Sequence, residues 1–597
     1  MDPVIVAGAG PVGLALALAL ARRDVPVILV DEAQAVAGAD GMRQARTTVL
    51  DPAAVAFLER LGYGGVREDG FTWVGWRTFR RRVDLGRMDF EPREAPLHLA
   101  QDLLVEGLRR AVLGCGAIRV LPGCLVDGVE QDPRGVTVHT QGAQETWWRG
   151  AFLVGCDGAR SAVRKLLGVR FPGRTAVDRN AVAVVRTELV EPGVALLHRD
   201  PPGAPSGQEV TARPLPDGLW RLDWQLPVRG RPLTSDALVE RLRSVLAAWC
   251  GQVPPYELVG SADYPVHQRL ARGWRVGRAF LAGDAAHLMG ALGAQSVQEG
   301  LRDAENLSWK LALAYHSGVS ETLLDSFEAE RRGAVGTRLR ATDQALPLLR
   351  ANGAWQTVRH TVLSGSARGQ AEMLTDSHLG RGAAAVPVYS RSPLTPAPRG
   401  DARSGASPLA AECATAPGGM VEDVAVTALD GTAGRLRDRL GGDLLVVLVA
   451  PGTGVWESRH WLTAGLMPRL ASAVTALPVS AELLVTEGYP GATAHTVLLV
   501  RPDGHLVAAM VGCRPAELYS YADLARGGPP IPAAGGGAEK ADGADGVDGA
   551  DPDAGVGTAG SGPPTGAGGP VRADAVPPGP RGTGGGPSEH RTGGRLR

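Results

Sequence analysis

The fold of this chain is decided by residues 4–21, which read VIVAGAGPVGLALALALA. The stretch predicts a short buried strand, a glycine-rich turn and a helix that begins at Pro11. A second buried strand over residues 25–30 ends at Asp31. This order predicts the first βαβ unit of a doubly wound α/β sheet. A signal peptide is disfavoured, because no basic residue precedes the stretch and glycine and proline interrupt it.

The turn has the spacing G-x-G-x-x-G, formed by Gly8, Gly10 and Gly13. Gly8 permits the tight turn, Gly10 lets the backbone approach a pyrophosphate, and Gly13 allows the helix to pack closely on the strand. The helix that starts at Pro11 supplies N–H donors to the phosphates. Asp31 follows where a carboxylate can accept the ribose hydroxyls. We therefore predict a dinucleotide site for FAD or NAD, and the acid disfavours the 2′-phosphate of NADP.

Composition excludes several other functions for the 597 residues. The chain has 62 Lys and Arg against 63 Asp and Glu, for a net charge of −1. This balance gives no basic surface for nucleic acid or an anionic membrane. The six cysteines include no C-x-x-C pair, so neither a metal site nor a disulfide framework is expected. We predict a cytoplasmic protein, with no nucleic-acid or membrane partner.

Changes of pattern along the chain predict several domains and connecting segments. The predicted segments are a discontinuous dinucleotide-binding domain (1–174 and 270–380), an antiparallel-sheet domain (175–269), a Pro/Ser/Arg-rich linker or arm (381–404), a compact α/β domain (405–526) and a tail (527–597). The tail is rich in Gly, Pro and Ala and holds no aromatic residue. Because it cannot bury enough apolar area to offset its ordering entropy, we predict that it is disordered.

Two more motifs follow predicted buried strands: GCDGARSAVR at 155–164 and GDAAH at 283–287. Each motif by itself is equally consistent with a strand-to-helix turn that is capped by its aspartate. Their order after the first glycine motif, however, resembles that of the FAD-dependent aromatic hydroxylases. These are the group A flavoprotein monooxygenases, typified by para-hydroxybenzoate hydroxylase, and the resemblance covers roughly residues 3–375. It implies a Rossmann-like FAD-binding domain with an inserted antiparallel-sheet domain that binds the substrate.

The resemblance also implies which residues contact the cofactors. It places Asp157 and Gly158 near FAD and the nicotinamide, and Asp284 on the ribityl chain. It places Arg46 near the flavin and its phosphates and Gln101 on the FAD chain. In this family FAD is bound, whereas NAD(P)H is a transient co-substrate without a second glycine motif. No metal is expected.

Further residues of the same region have weaker or different roles by the same resemblance. Arg43 is a weaker candidate than Arg46 for the flavin. His287 is expected to be structural, because the chemistry of the family uses no imidazole there. No catalytic side chain is identified, since the reaction is driven by the flavin.

The loop that lines the flavin in relatives departs from the family pattern here. The usual Pro-Pro is replaced by Gly290 and Ala291, and the usual G-G-Q-G by Gly293, Ala294, Gln295 and a serine. The helix that follows is expected to direct its N–H groups at the flavin edge that becomes negative on reduction. FAD binding is expected to survive these changes, while the geometry of oxygen transfer is less secure.

The segment 405–526 resembles the thioredoxin-like domain appended to many phenol and polyketide hydroxylases. Its best-matching part is RPDGHLVAAM at 501–510. Without a C-x-x-C it cannot exchange disulfides, so a structural or oligomer-forming role is expected, with a possible homodimer.

Aromatic residues supply two candidates for a substrate surface. Trp220 and Trp224 share one face of a predicted strand and are expected to be core rather than a substrate platform. A second group could wall an aromatic pocket or belong to the core; its members are Phe71, Trp73, Trp76 and Phe79.

The predicted function is an FAD- and NAD(P)H-dependent monooxygenase that hydroxylates an aromatic or polyketide-like substrate with O₂ through a flavin hydroperoxide. The resemblance and the GC-rich composition suggest bacterial secondary metabolism, such as antibiotic biosynthesis. Two alternatives remain open: the same scaffold performing Baeyer–Villiger oxidation, epoxidation or simple oxidation, and a flavin-binding protein without turnover. The substrate, the position oxidised and the choice of NADH or NADPH are left open.

Overall fold

The structure is a computed structural model. It describes residues 2–33, 46–189, 191–201, 208–226, 233–289, 296–349, 367–379, 385–397, 411–452 and 465–528. The predicted disordered tail lies almost entirely outside the described residues, as do Arg43 and the loop residues Gly290, Ala291, Gly293, Ala294 and Gln295. No helix of the described segments combines the length and apolar character needed to cross a bilayer.

A six-stranded sheet, here called the parallel sheet, forms the centre of the N-terminal half. Its spatial order is Arg275–Val276, Ala279–Leu281, Phe152–Gly155, Val4–Ala7, Val27–Asp31 and Ile118–Pro122, with every neighbouring pair parallel except the first. The strand Val4–Ala7 is fully buried and lies inside the sheet, as a continuous apolar run predicts. The predicted βαβ opening and α/β class are therefore confirmed.

Helices cover this sheet and continue through the rest of the chain. The α-helices are Pro11–Ala21, Pro52–Arg60, Val66–Asp69, Gln101–Leu113, Ala162–Leu166, Ser235–Cys250, Ser296–Ser317, Glu321–Phe327, Gly333–Leu349, Ala367–Leu379, Met467–Thr475 and Pro515–Ala525. Short turns of other helix types are Gly283–Ala285, Glu328–Arg332 and Leu436–Arg439. Helix starts follow local sequence: Asp51, for example, caps its helix by accepting a hydrogen bond from the Ala54 N–H at 2.8 Å.

Two small antiparallel sheets flank the parallel sheet. One has the order Thr146–Gly150, Gly135–Gly142 and Cys124–Asp132, and the other Thr47–Leu50, Leu97–Ala100 and Phe71–Thr72. The first contains a turn between Asp132 and Gly135, where Asp132 Oδ1 accepts the Gly135 N–H at 3.0 Å.

An eight-stranded sheet, here called the floor sheet, is the second large layer. Its order is His287–Met289, Tyr256–Leu270, Gly173–Thr187, Leu219–Leu226, Glu209–Pro214, Val194–Arg199, Gly75–Arg80 and Val83–Asp89. The last two strands come from outside the predicted segment 175–269, as does His287–Met289. A strand after residue 74 can join this sheet because Val194–Arg199 pairs with it in parallel.

The two faces of the floor sheet differ in polarity. On one face, Val210, Leu222 and their neighbours pack against the helix Ser235–Cys250. Trp220 and Trp224 lie in this core, 4% and 1% exposed, as the sequence favoured. The opposite face carries polar side chains at the alternating positions Arg213, Arg221 and Asp223, beside apolar ones such as Val182 and Val184. The polar part is called the polar face below.

The second aromatic group is divided between these faces. Trp73 and Trp76 are each 1% exposed, with ring centroids 5.8 Å apart, and belong to a packed core cluster. Phe79 instead lies on the side of the helix Ser235–Cys250, where its ring is 5.7 Å from that of His198. The tryptophans therefore form core, although Trp73 reaches to 5.8 Å from His98 at the edge of the polar face.

The C-terminal domain contains a second six-stranded sheet. Its order is Ala433–Arg435, Ala425–Ala428, Ala481–Thr486, Leu444–Val449, Thr496–Val500 and Leu506–Val511. The central pair is parallel, the last two strands are antiparallel to their neighbours, and the helix Pro515–Ala525 follows. The C-terminal segment thus has the α/β character expected from the sequence, and its thioredoxin-like class stays a prediction.

Candidate functional site

Three sequence motifs follow three neighbouring strands of the parallel sheet. The glycine loop Gly8–Gly13 follows Val4–Ala7, Cys156 and Asp157 follow Phe152–Gly155, and the loop Gly283–His287 (the GDAAH loop) follows Ala279–Leu281. Because carboxyl ends of parallel strands share one edge of a sheet, the three motifs meet there. This edge is the candidate cofactor site.

The glycine loop is packed tightly on one side and open on the other. Gly8 has a φ of +103°, and a Cβ on it would lie 2.4 Å from the Cys156 carbonyl oxygen. A Cβ on Gly13 would lie 1.8 Å from the Gly8 carbonyl oxygen. A Cβ on Gly10, in contrast, would meet no atom within 4 Å. The space in front of Gly10 is therefore free for a ligand.

The helix that begins at Pro11 presents its N-terminus to this space. Its N-cap residue Gly10 makes no side-chain capping hydrogen bond, so the first turn keeps donors for an anion. Asp31 lies beside the loop, because its carboxylate accepts hydrogen bonds from the N–H groups of Ala9 and Ala33. The fingerprint residues and the acid are thus brought together.

Asp284 lies on the GDAAH loop, next to the glycine loop. Its side chain is exposed, yet surrounding protein desolvates it enough to raise the pKa of the carboxyl, against the opposing charges of His287 and Arg46. The loop touches the first motif, since a Cβ on Gly283 would meet Val12 Cγ2 at 3.0 Å. An accessible but poorly solvated carboxyl is suited to accept hydrogen bonds from ligand hydroxyls.

Arg46 and Gln101 enter the same area from the small sheet. The Gln101 N–H donates to the Arg46 carbonyl at 2.9 Å, and the Arg46 side chain is exposed. The guanidinium of Arg46 interacts electrostatically with Asp284. Two residues far apart in the sequence are therefore joined at this edge.

Asp157 and Gly158 lie on the strand-to-helix turn of the second motif. Asp157 Oδ2 accepts the Val163 N–H at 3.0 Å, whereas Oδ1 is buried and has no hydrogen-bond partner within the described segments. Gly158 has a φ of +77° and open space around it. The arginine of this motif, Arg164, is buried and donates to the Ala285 carbonyl at 2.9 Å, which ties the motif to the GDAAH loop.

His287 is fully buried and holds the GDAAH loop. Its Nε2 lies 2.8 Å from Asp303 Oδ2, and its ring stacks on Trp274 with centroids 5.2 Å apart. The same Asp303 oxygen accepts the Gly283 N–H at 2.9 Å. These contacts support the structural role expected for His287.

The polar face of the floor sheet forms a charged surface beside the cofactor site. Arg221 donates to Asp223 Oδ1 at 2.7 Å, two positions along its own strand, and to Tyr264 Oη at 3.1 Å, from the next strand but one. It also donates to Thr47 Oγ1 at 3.0 Å. The chain neighbour of Thr47 is Arg46, so this surface begins one residue from the cofactor site.

The charges on this surface do not balance. Arg213 is 5% exposed, its closest carboxylate is Asp223 at 3.6 Å, and its buried Nη1 has no hydrogen-bond partner among the residues described. Burial, together with the charges of Arg213 and Arg221, lowers the pKa of His98 to about 3, so its imidazole is neutral. Among the residues that the structure describes, Arg213 and Arg221 therefore share the single carboxylate of Asp223, which leaves one buried positive charge without a matching acid.

The residues at the sheet edge fit FAD. The open space at Gly10 and the uncapped helix N-terminus suit a pyrophosphate, and Asp31 suits a ribose. The unpartnered oxygen of Asp157 and the exposed carboxyl of Asp284 add acceptors for further ligand hydroxyls or N–H groups. The donor set and its spacing match a flavin dinucleotide.

Comparison with known proteins gives the class. A family model described as FAD binding domain matches residues 1–342, more than half of the chain. The chain therefore belongs to this family of flavin-dependent oxidoreductases, and FAD is its cofactor.

Individual relatives and a solved structure agree with the family. A 3-(3-hydroxy-phenyl)propionate/3-hydroxycinnamic acid hydroxylase of Paraburkholderia xenovorans (strain LB400) is 30% identical over 355 residues, covering 57% of this chain and 54% of that protein. A dialkyldecalin synthase of Streptomyces rugosporus is 31% identical over 357 residues, covering 58% of this chain and 72% of that protein. The flavin-dependent monooxygenase PieE, solved with FAD and substrate, has a TM-score of 0.65 at 20% identity, covering 88% of this chain and 98% of PieE. The chain thus spans about half the length of the hydroxylase, and the likeness to PieE shows the fold alone.

Sequence reasoning missed the charged floor. Arg221 and Asp223 alternate with Trp220, Leu222 and Trp224. The sequence therefore predicts that the two charged residues share the face of the strand opposite the apolar residues. Only the apolar face was interpreted. Two charged residues opposite the core face of one strand would have indicated the polar face of the floor sheet.

We expect the substitution Asp284→Asn to weaken FAD binding roughly tenfold, equivalent to about 1.4 kcal/mol. An amide keeps the shape but loses the charge that strengthens hydrogen bonds from ligand hydroxyls. Titration of apoprotein with FAD, followed by fluorescence quenching, measures the dissociation constant. Asp236→Asn, on an exposed position of the helix Ser235–Cys250, serves as control. Unchanged affinity in Asp284→Asn would remove this residue from the site.

Proposed function

We propose that the protein is an FAD-dependent monooxygenase, which uses NAD(P)H and O₂ to hydroxylate an aromatic or polyketide-like substrate in bacterial secondary metabolism. The observation that carries the proposal is the junction at Arg46 and Thr47. Arg46 faces the candidate cofactor site, and the hydroxyl of Thr47 contacts Arg221 of the charged floor. Consecutive Cα atoms are only about 3.8 Å apart, so a molecule on the floor lies next to the cofactor.

The side chains around the site supply binding, orientation and charge. FAD, when bound, supplies the redox chemistry, taking electrons from NAD(P)H and using O₂ to oxidise the substrate. The glycine loop holds the phosphates, and Asp284 holds hydroxyl groups of the cofactor chain. The buried floor sheet excludes water from one side of the reacting atoms, which protects a reactive oxidant from hydrolysis.

Arg213 orients the substrate in this proposal. An unmatched buried positive charge is costly, and a ligand oxygen that carries negative charge would compensate it. A carboxylate or an ionised phenol would fit, and either would fix the distance of the ring from the cofactor. The neutral ring of His98 adds no competing charge.

Oxidation and product mass test the proposal. The purified protein is expected to be yellow, and NADPH or NADH with a bacterial phenol or polyketide pool should bleach the flavin. Mass spectrometry should then show a product heavier by one oxygen atom. Bleaching without added oxygen would refute hydroxylation, and the absence of bleaching with every tested substrate would refute the oxidoreductase activity.

The similarity to a dialkyldecalin synthase favours one second candidate function. The protein would then bind FAD and act on a bound molecule without adding oxygen. Incubation without NAD(P)H separates the two, since a synthase-type product should form at unchanged mass in the absence of reductant. Baeyer–Villiger oxidation and epoxidation also add one oxygen, and NMR of the product distinguishes them from ring hydroxylation.

We further propose that the protein works in the cytoplasm as a homodimer, without nucleic-acid or membrane partners. The near-neutral net charge of −1 supports this, because a strongly basic chain would be expected to attract nucleic acid or an anionic membrane. Light scattering of the purified full chain measures the oligomeric state directly.

A further inference from the structure

The C-terminal domain contacts the N-terminal half at several points, and the contact of Arg501 is fully buried. Arg501, from the motif at 501–510, is 1% exposed and donates from Nη1 and Nη2 to the two oxygens of Glu330 at 2.6 and 2.9 Å. Two parallel hydrogen bonds of this kind fix both distance and direction. Glu330 belongs to the five-residue π-helical turn Glu328–Arg332, here called the π-turn.

Glu330 has every acceptor position occupied. Besides Arg501, it accepts hydrogen bonds from Lys310 at 2.7 Å, Asn306 at 2.7 Å and Ser392 at 2.5 Å. Although burial alone would raise the pKa of its carboxyl, Arg501 and Lys310 hold that pKa well below its usual value. The carboxylate is therefore charged and fixed, and removal of one partner would leave a buried charge unbalanced.

The next residue of the π-turn contacts the cofactor side. Arg331 is fully buried and donates to Asp303 Oδ1 at 2.8 Å and to Glu299 Oε2 at 2.8 Å. Asp303 in turn holds the Gly283 N–H and the ring of His287. A continuous series of buried ionic contacts thus runs from the C-terminal domain to the GDAAH loop.

A second contact joins the π-turn to the same loop. Glu328 accepts the Trp274 N–H at 2.9 Å, and Trp274 stacks on His287. The π-turn therefore supports the GDAAH loop from two sides. π-helical turns are rare and occur frequently at functional positions.

Glu330 and Arg331 are consecutive in the chain, so a shift of one displaces the other. We propose that Arg501 is a positioning residue for FAD: by holding Glu330, it keeps Arg331 and Asp303 in place and thereby keeps the GDAAH loop in its cofactor-binding geometry. The C-terminal domain then acts as a clamp on the cofactor site. This role differs from disulfide exchange and from the oligomer formation expected of such a domain.

Arg501→Met in the full chain tests the clamp. Titration of the apoprotein with FAD should give a dissociation constant at least tenfold above that of the parent protein. Arg439→Met is the matched control, because Arg439 contacts only Thr432 and Glu482 of its own domain in the hydrogen bonds described. Its FAD dissociation constant should stay within twofold of the parent value.

Arg501→Lys separates positioning from folding. Lysine keeps the charge but not the paired hydrogen bonds, so FAD affinity should be intermediate between the parent and Arg501→Met. If Arg501→Met does not fold, judged by circular dichroism, Arg501→Lys decides by the same titration. A lowered melting temperature of the apoprotein with unchanged FAD affinity would show that Arg501 is only structural and would overturn the proposal.

A double-mutant cycle tests the route through Glu330. The double variant, which combines Arg501→Met with Glu330→Gln, should bind FAD no more weakly than the weaker-binding single variant. Both substitutions break the same contact, so their effects should not add. Multiplicative effects of the two substitutions on the dissociation constant would refute coupling through the π-turn.

Discussion

Alanine in place of Gly13 is expected to abolish tight FAD binding and to destabilise the apoprotein. The new Cβ would lie 1.8 Å from the Gly8 carbonyl oxygen, a distance that no side-chain rotation relieves. The helix that starts at Pro11 must move away from the first strand, at a cost of at least about 3 kcal/mol. The FAD dissociation constant should rise by more than about 100-fold, equivalent to about 2.7 kcal/mol.

Alanine in place of Gly10 is expected to affect FAD binding alone. The backbone of Gly10 has a φ of −75°, which alanine adopts readily, and the added Cβ would meet no protein atom within 4 Å. The methyl group would occupy the space through which the pyrophosphate approaches. The melting temperature should therefore move by less than about 2 °C, while FAD affinity falls at least about tenfold.

Differential scanning calorimetry of the apoproteins and FAD titration measure both effects. Gly116→Ala is the control, because Gly116 precedes the strand Ile118–Pro122 at the opposite edge of the sheet and its Cβ would also meet no atom within 4 Å. Equal FAD affinity in Gly10→Ala and Gly116→Ala would contradict the assignment of the glycine loop to the phosphates.

Methionine in place of Arg213 is expected to weaken substrate binding without loss of stability. The guanidinium is desolvated, and burial lowers its pKa against the pull of Asp223. Removing an incompletely compensated buried charge should leave the melting temperature unchanged or raise it. KM for an anionic substrate should rise roughly thirtyfold, equivalent to the loss of about 2 kcal/mol from a charge-assisted hydrogen bond.

Methionine in place of Arg221 is the matched comparison, and its effect on stability should be the opposite. Arg221 is 3% exposed and pairs with Asp223, whose pKa falls to about 2 because Arg221 and Arg213 outweigh its desolvation. Without Arg221 that carboxylate is buried with a poorer partner, at a cost of about 3 kcal/mol. Denaturant unfolding of both variants measures the difference.

The two arginine variants separate a binding charge from a structural one. A loss of stability in Arg213→Met equal to that in Arg221→Met would show that both guanidinium groups only support the fold. An unchanged KM in Arg213→Met would refute the proposed orientation of an anionic substrate.

Local sequence rules predicted the parallel sheet and its loops well. Continuous apolar runs marked Val4–Ala7 and Phe152–Gly155, and Asp31 followed its strand as expected. The strands Gly75–Arg80 and Val83–Asp89 were not assigned to the floor sheet. They pair locally with each other, and Gly75–Arg80 joins the sheet through Val194–Arg199, more than 100 residues further along the chain. Register between distant strands depends on tertiary packing that no local pattern records.

The buried charges were beyond the sequence rules for a different reason. Arginine usually lies on the protein surface and is almost never fully buried unless it is paired. Sequence rules therefore place Arg213, Arg331 and Arg501 at the surface, whereas all three are buried. Except for Asp503, which lies two residues from Arg501, their acidic partners are distant in the sequence, so no local spacing reveals the pairs. The glycine loop could be proposed from the sequence because its chemistry requires fixed spacing within one short segment, whereas the ionic contacts around the π-turn required the folded chain.

The position of Arg501 has a consequence for how the protein matures. During synthesis the glycine loop leaves the ribosome first, and Arg501 follows roughly 25–100 s later at about 5–20 residues per second. Throughout this interval the nascent chain holds the first half of a flavin site whose GDAAH loop has no clamp. If Arg501 clamps the GDAAH loop as proposed, tight binding of FAD is expected only after the C-terminal domain has been synthesised and folded.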